Sequence, residues 1–294
     1  MEHFLRIITK PDNIPIAGML LLVLFCLWVG LRQALENDRR AASGRDVWEK
    51  EENEPGVIHV WPYLCRLEFL MLIAVMIGLA VWSIGIDAPL EEPANPTKTP
   101  NPSKAPWYFL GLQEMLVYFD PWIAGVVLPG LIIFGLMAIP YLDPNPNGRG
   151  HYAFRERKFA IAVFCFGFVF LWVILIILGT FFRGPGWNFF WPWQYWDPHK
   201  VVPLINVNLS YKFGIRSDFW AFLFGAAVVG GYYLLGAIYY LLRRGKNETI
   251  RKLGILRYSI VAFLFLTMMA LPIKMFLRIV FNIKYVWVTP WFNI

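Results

Sequence analysis

Glu114 stands alone as a carboxylate in the apolar stretch WYFLGLQEML, residues 107–116. A carboxyl group buried among apolar neighbours has its charged form penalised, which raises its pKa toward neutrality and makes proton exchange possible at working pH. Glu114 follows Trp107 by seven residues, two helical turns, so the two would share a face with Leu110 and Gly111 between them. The plainer alternatives are that Glu114 faces water or pairs with a basic residue on a partner, as lone loop carboxylates commonly do. Glu68 has a weaker claim to proton chemistry: an acidic side chain at the start of an apolar run favours a helix amino terminus. Metal chemistry has less support. The four histidines, His3, His59, His151 and His199, fall outside the apolar runs, and His59 and His199 read as ordinary interfacial residues. Cys26, Cys65 and Cys165 are far apart, with no Cys-x-x-Cys-His and no paired-cysteine cluster. No metal ligand set is expected.

The elements that must position Glu114 are membrane helices. The chain of 294 residues is 58% hydrophobic and 16% charged, well beyond the roughly 45–50% apolar content of soluble domains. Crossing hydrocarbon takes about 20 mostly apolar residues, and six runs come near that: Ile14 to Leu31, Leu67 to Ile86, Trp122 to Leu142, Phe159 to Phe182, Phe219 to Leu242 and Ile255 to Ile273. The expected fold is therefore an all-α integral membrane protein of about six transmembrane helices. No small-residue cleavage site closes the first run, which reads as a retained helix rather than a signal. Pro129 should kink the third run. The last helix has room to continue to Ile283, but Lys274 and Arg278 imply that this end lies at the interface or turns along it. The net charge of +7 comes from short basic clusters between apolar runs, with no basic face or groove, so no nucleic-acid partner is expected.

Lysine and arginine counts give an orientation. The connections 32–66, 149–158 and 243–257 hold 16 of the 27 basic residues and should face the cytoplasm, which puts both termini outside. The connection from Asp87 to Asp120 has only Lys98 and Lys104 against five acidic residues. It and Arg183 to Lys200 are long outer-side loops, and loops of this length usually serve function. The second loop, with Trp187, Trp191, Trp193 and Trp196, reads as an aromatic belt at the membrane surface. No inverted repeat or set of intramembrane charges supports a transporter.

From His59 to about Gly184 the order of parts resembles the carboxy-terminal half of cytochrome b, and especially subunit IV of the cytochrome bf complex. Trp61 and Pro62 precede a helix. The loop PANPTKTPNPSKAPWYFLGLQEML follows, then VLPGLIIFGLMAIPYLDPNP and a basic RERKFA before the next helix. The resemblance implies three segments: 1–58, an extra helix and charged connection; 59–184, three helices and a quinol-site loop; and 185–294, the Trp-rich loop and two further helices. In that family the loop carries a Pro-Glu-Trp-Tyr motif whose glutamate is thought to take a proton from quinol. Here Pro106 stands where that glutamate should be, which leaves an inactive site or a relocated carboxylate. Glu114 is the candidate for the relocated role, with Tyr108 and Trp107 flanking the quinone ring and Trp107 alternatively only an anchor. Phe69 aligns with a phenylalanine covering an extra haem, although a phenylalanine on a membrane helix is more often packing. Haem b in the family is held between paired histidines inside a helical bundle, so the resemblance implies a haem-bearing partner corresponding to the amino-terminal half of cytochrome b. It implies in addition a Rieske or multihaem c-type electron acceptor, a quinol or quinone at a shared site, and a bacterial cytoplasmic (inner) membrane. The competing expectation is a structural anchor with a degenerate quinone site. Gly225, Gly230 and Gly231 would permit close helix packing in the added helices.

Overall fold

The structure, a computed structural model, describes residues 2–11, 13–52, 59–87, 90, 93–97, 99–145, 147, 150–195 and 205–294. Lys98, Arg149, Trp196 and His199 lie outside the described residues, as does the side chain of His3. The protein is an all-α integral membrane protein. Its helices are α1 (Glu2–Ile8), α2 (Ile14–Ala42), α3 (Trp48–Glu52), α4 (Val60–Gly85), α5 (Trp107–Met115), α6 (Ile123–Leu142), α7 (Lys158–Phe182), α8 (Leu209–Lys212), α9 (Asp218–Arg243) and α10 (Glu248–Phe281). Six of them, α2, α4, α6, α7, α9 and α10, are long and apolar enough to span a bilayer, as the hydropathy of the six runs requires. In α10 the non-helical Gly254 (φ 68°, ψ 177°) separates a short polar turn from the apolar length beyond. The distortion expected at Pro129 takes a particular form: Pro129 has no N–H to offer, and the chain winds wide over Ile123–Val127 before resuming α geometry at Leu128.

The chain forms two compact units. The first comprises Met1–Pro100, Pro146–Phe164 and Trp191–Tyr195. Its polar hub is Asn37, 1% exposed, whose amide donates to Glu49 Oε2 (2.8 Å) and the Tyr152 carbonyl (2.9 Å) while its oxygen accepts from the Trp48 backbone N–H (3.1 Å). Glu49 Oε1 accepts from the Tyr152 N–H at 3.0 Å, and the Arg40 guanidinium lies 4.2 Å from the Trp48 ring. This hub ties the 43–52 connection to the 150–155 connection, two of the basic stretches that the charge rule assigns to one side. Burial pushes the Glu49 carboxyl up, but the Tyr152 N–H and the Asn37 amide outweigh that and hold it below its ordinary value. A lowered carboxyl contributes stability that is full above the ordinary value and is lost as pH falls through the lowered one.

The second unit comprises Asn101–Asn145, Cys165–Phe190 and Trp196–Ile294. Its core gathers Met115, Tyr118, Phe119, Ile123, Ala124, Leu171, Leu175 and Leu271. Tyrosines clasp α9 to α10: Tyr232 donates to the Leu266 carbonyl (2.7 Å), Tyr258 to that of Gly236 (2.8 Å), and Tyr233 meets Thr267 at 2.9 Å. Satisfying hydroxyls on a neighbouring backbone suits a medium without water. Lys274 and Arg278 turn inward against the chain itself. Both are buried, because the chain turns at Asn282, in the left-handed conformation favoured just past a helix, and brings its tail back beside α10. Lys274 donates to the Lys284 carbonyl, and Arg278 donates to those of Ile205 (2.8 Å) and Asn282 (3.2 Å). Strands β1 (Val207–Asn208) and β2 (Ile283–Tyr285) pair in parallel, and Trp287 and Ile294 exchange backbone hydrogen bonds at 2.9 Å.

Gly225 admits this tail. A Cβ there would lie 2.7 Å from Trp287 Cα, whereas Gly230 and Gly231 face open space and Gly236 is the glycine that approaches α10. Gly225→Val should unseat Trp287 and make residues 283–294 protease-sensitive with the six spans intact, as limited proteolysis in detergent will show. Protection of the Trp48 and Tyr152 amides, normalised to intrinsic exchange, should fall as pH drops below the ordinary carboxylate range, through the lowered Glu49 value, and Glu49→Gln should abolish that step.

Candidate functional site

The loop before α5 is organised by its side chains. Pro106 has the fixed φ suited to a helix start, and its carbonyl accepts the Phe109 N–H at 2.9 Å. Pro106 thus begins α5. Gln113 reaches back from the helix, accepting the Ala105 N–H (2.8 Å) and donating to the Ser103 carbonyl (2.9 Å). Lys104 donates to the Thr180 carbonyl at 2.7 Å, placing a cation at the carboxyl end of α7, where the helix dipole favours it. Two glycines let α5 lie close on α7: a Cβ on Gly179 would sit 2.8 Å from Leu110 Cγ, and one on Gly111 would touch Trp172 and Ile176 at 3.5 Å.

This packing turns Leu110, Gly111, Glu114 and Met115 inward, the face that the seven-residue spacing implied. Glu114 is 0% exposed. Arg183, just beyond the end of α7, closes on it: Nη2 donates to Oε1 at 2.6 Å, and Nε lies 3.0 Å from Oε2 and 3.2 Å from Oε1. Tyr118 Oη donates to Oε1 at 2.8 Å, and Arg183 Nη1 donates to the Trp187 carbonyl at 3.1 Å. Charge-assisted, two-pronged bonds of this kind are among the strongest in proteins and fix orientation as well as distance. Burial pulls the Arg183 guanidinium down, but the hydrogen bond and charge of Glu114 reverse that and leave it above its ordinary value. Burial, then the neighbouring Glu114 charge, push the Tyr118 phenol above its own. The cluster is a carboxylate held by a permanent cation and a neutral phenol, with Oε1 accepting most of the bonds and Oε2 accepting from Nε.

Of the expected site residues, Glu114, Trp107 and Tyr108 share α5 but not one face. Tyr108 is 50% exposed and points away from the unit, with the half-buried Trp107 edge-on to it at 5.7 Å. Phe69 lies on α4 in the first unit with its side chain outward. Sequence reasoning missed Arg183 and Tyr118. Tyr118 follows Glu114 by four residues, a helical-neighbour spacing. Arg183 is 69 residues away, and its only sequence signal is a cation closing a long apolar run.

Residues 93–187 match the family model described as cytochrome b (C-terminal)/b6/petD. That stretch contains α5, Glu114, Tyr118 and Arg183, and over it the resemblance carried by the loop motif is shown. The chain is 34% identical over 101 residues to the menaquinol:cytochrome c reductase cytochrome c subunit of Geobacillus thermodenitrificans, covering 32% of this chain and 40% of that protein. It is 33% identical over 90 residues to the protein of the same name from Bacillus subtilis (strain 168), covering 28% and 34%. The chain thus spans about two fifths or less of the length of these curated relatives. No solved structure matches it.

Arg183→Met should destabilise the protein by about 3–5 kcal/mol, because it leaves a buried carboxylate without its counter-charge. Glu114→Leu combined with Arg183→Met should recover most of that loss. Thermal unfolding of the detergent-solubilised protein, wild type against single and double variants, measures both.

Proposed function

We propose that the chain is a haem-free membrane subunit of a quinol-oxidising, cytochrome bc-like electron-transfer complex, in which its 93–119 loop helps form the outer quinol-oxidation site. The observation that carries this reading is the family match over 93–187 together with a buried carboxylate on the helix of that loop. The names of the two relatives point to menaquinol as the quinol. Oxidation of a quinol to a quinone releases two electrons and two protons. In this reading the electrons pass to partner cytochromes or a Rieske protein, and Glu114 accepts a proton in place of the carboxylate that Pro106 lacks.

Tyr108, on the outward face of α5, lines the quinone side with Trp107 beside it. Phe69 belongs to a separate, inner-side contact with a partner's cofactor. Haem b belongs to a partner corresponding to the amino-terminal half of cytochrome b, since His59 and His151 lie on connections rather than within the spans. The complex sits in a bacterial cytoplasmic membrane, with both termini and the loops 87–120 and 183–200 outside.

A specific observation favours a second reading. Glu114 has no exposed surface and is clamped by Arg183 and Tyr118, as a purely structural anchor would be. Quinol-dependent cytochrome reduction by the purified complex, wild type against Glu114→Gln across a range of pH, separates the two. A fall of about 100-fold or more with haem content and assembly unchanged supports Glu114 as proton acceptor. An unchanged rate and pH profile would sink that role and favour the anchor.

A further inference from the structure

Helix α10 and the tail after it lie beyond the matched stretch, yet they build the wall behind the Glu114 helix. Leu271 of α10 belongs to the same buried cluster as Met115, Tyr118 and Phe119, and Met268, Met275, Phe292 and Ile294 pack against that cluster. Three residues past Leu271, Lys274 is 4% exposed. Its ammonium lies 5.3 Å from the centroid of the Phe119 ring and donates to the Lys284 carbonyl in β2.

Burying an ammonium without a counter-ion is costly, and among the described residues Lys274 makes no ion pair. Methionine or leucine would fill this apolar position at lower cost. The ammonium does two things that a hydrocarbon cannot: it seats on an aromatic face and it holds a backbone carbonyl of the returning tail. Both bear on the turn that ends α5. The Phe119 N–H bonds the Met115 carbonyl at 3.0 Å, and the residue before Phe119, Tyr118, donates to Glu114.

We propose that Lys274 is a positioning residue for Glu114. By fixing Phe119 against α10 and β2, it sets where the Tyr118 hydroxyl meets the carboxylate, so the sixth span and its tail serve the site rather than merely enlarging the protein. This rests on the reading of Glu114 as the working carboxylate, and the test keeps the two separable.

The test compares Lys274→Met and Lys274→Arg with wild type in the assembled complex, reading deuterium uptake by peptide together with quinol-oxidation kinetics across pH. The expected result for Lys274→Met is uptake about tenfold faster within 107–119 with the α9–α10 contact unchanged. A several-fold loss in kcat and a displaced pH profile accompany it, and Lys274→Arg restores both because a guanidinium can still cover the ring and reach the carbonyl. Wild-type uptake in 107–119 would overturn the proposal, and so would faster uptake spread evenly over 205–294, which marks general loosening. If Lys274→Met does not assemble, Phe119→Leu removes the aromatic seat without touching the lysine and must give the same local rise in uptake. Faster local uptake together with a Glu114→Gln enzyme of unchanged rate would leave the positioning contact standing and remove the quinol role.

Discussion

Much of the second unit depends on the ion pair between Glu114 and Arg183. A carboxylate with no exposed surface is tolerated only when its charge and its acceptor positions are met, and Arg183 meets them from the far end of a membrane helix. That requirement fixes the distance between α5 and α7, and the glycines at 111 and 179 follow from it, since a side chain at either would crowd the opposing helix. Lys104 and Gln113 then hold the incoming loop against the same helix end. Such a pair adds little net stability over a well-packed apolar substitute, but removing one partner alone leaves an uncompensated buried charge.

The six spans were legible because length and hydropathy report directly on the solvent a helix must suit. The inward face of α5 was legible as well, because seven residues make two turns whatever surrounds them. Arg183 was not, because no local pattern connects two residues 69 apart. The burial of Lys274 and Arg278 was not legible either. Cations near a helix end ordinarily extend to water, and only the fold-back of residues 283–294 supplies the carbonyls that keep them inside. At Gly225, Gly230 and Gly231 close helix packing was expected, but Gly225 admits Trp287 of the tail rather than a helix, and the other two face open space. A kink was expected at Pro129, and the structure has instead a widened turn just upstream, whose form depends on how the preceding residues rewind.

The two faces of α5 divide the work of the loop. Its inner face is closed and apolar around a single carboxylate, its outer face aromatic and open. A partner or ligand meeting Tyr108 and Phe109 therefore touches a surface whose position is set by contacts it never reaches. Pro106 fits this division: proline at the start of α5 fixes the helix direction, while the Glu114 carboxylate lies two turns further along, behind the exposed rings.

The separation of Glu114 from Arg183 along the chain has a consequence for biosynthesis. A ribosome adding roughly 5–20 residues per second takes several seconds to travel from codon 114 to codon 183, and during that interval the carboxylate has no arginine to meet. The nascent α5 must wait, hydrated at the surface, until α7 has threaded and delivered its terminal arginine. The wall containing Lys274 and Phe292 arrives later still. The order of synthesis thus makes the loop the first part of the second unit to emerge and one of the last to settle, a window in which a membrane insertase or a partner subunit would find it open.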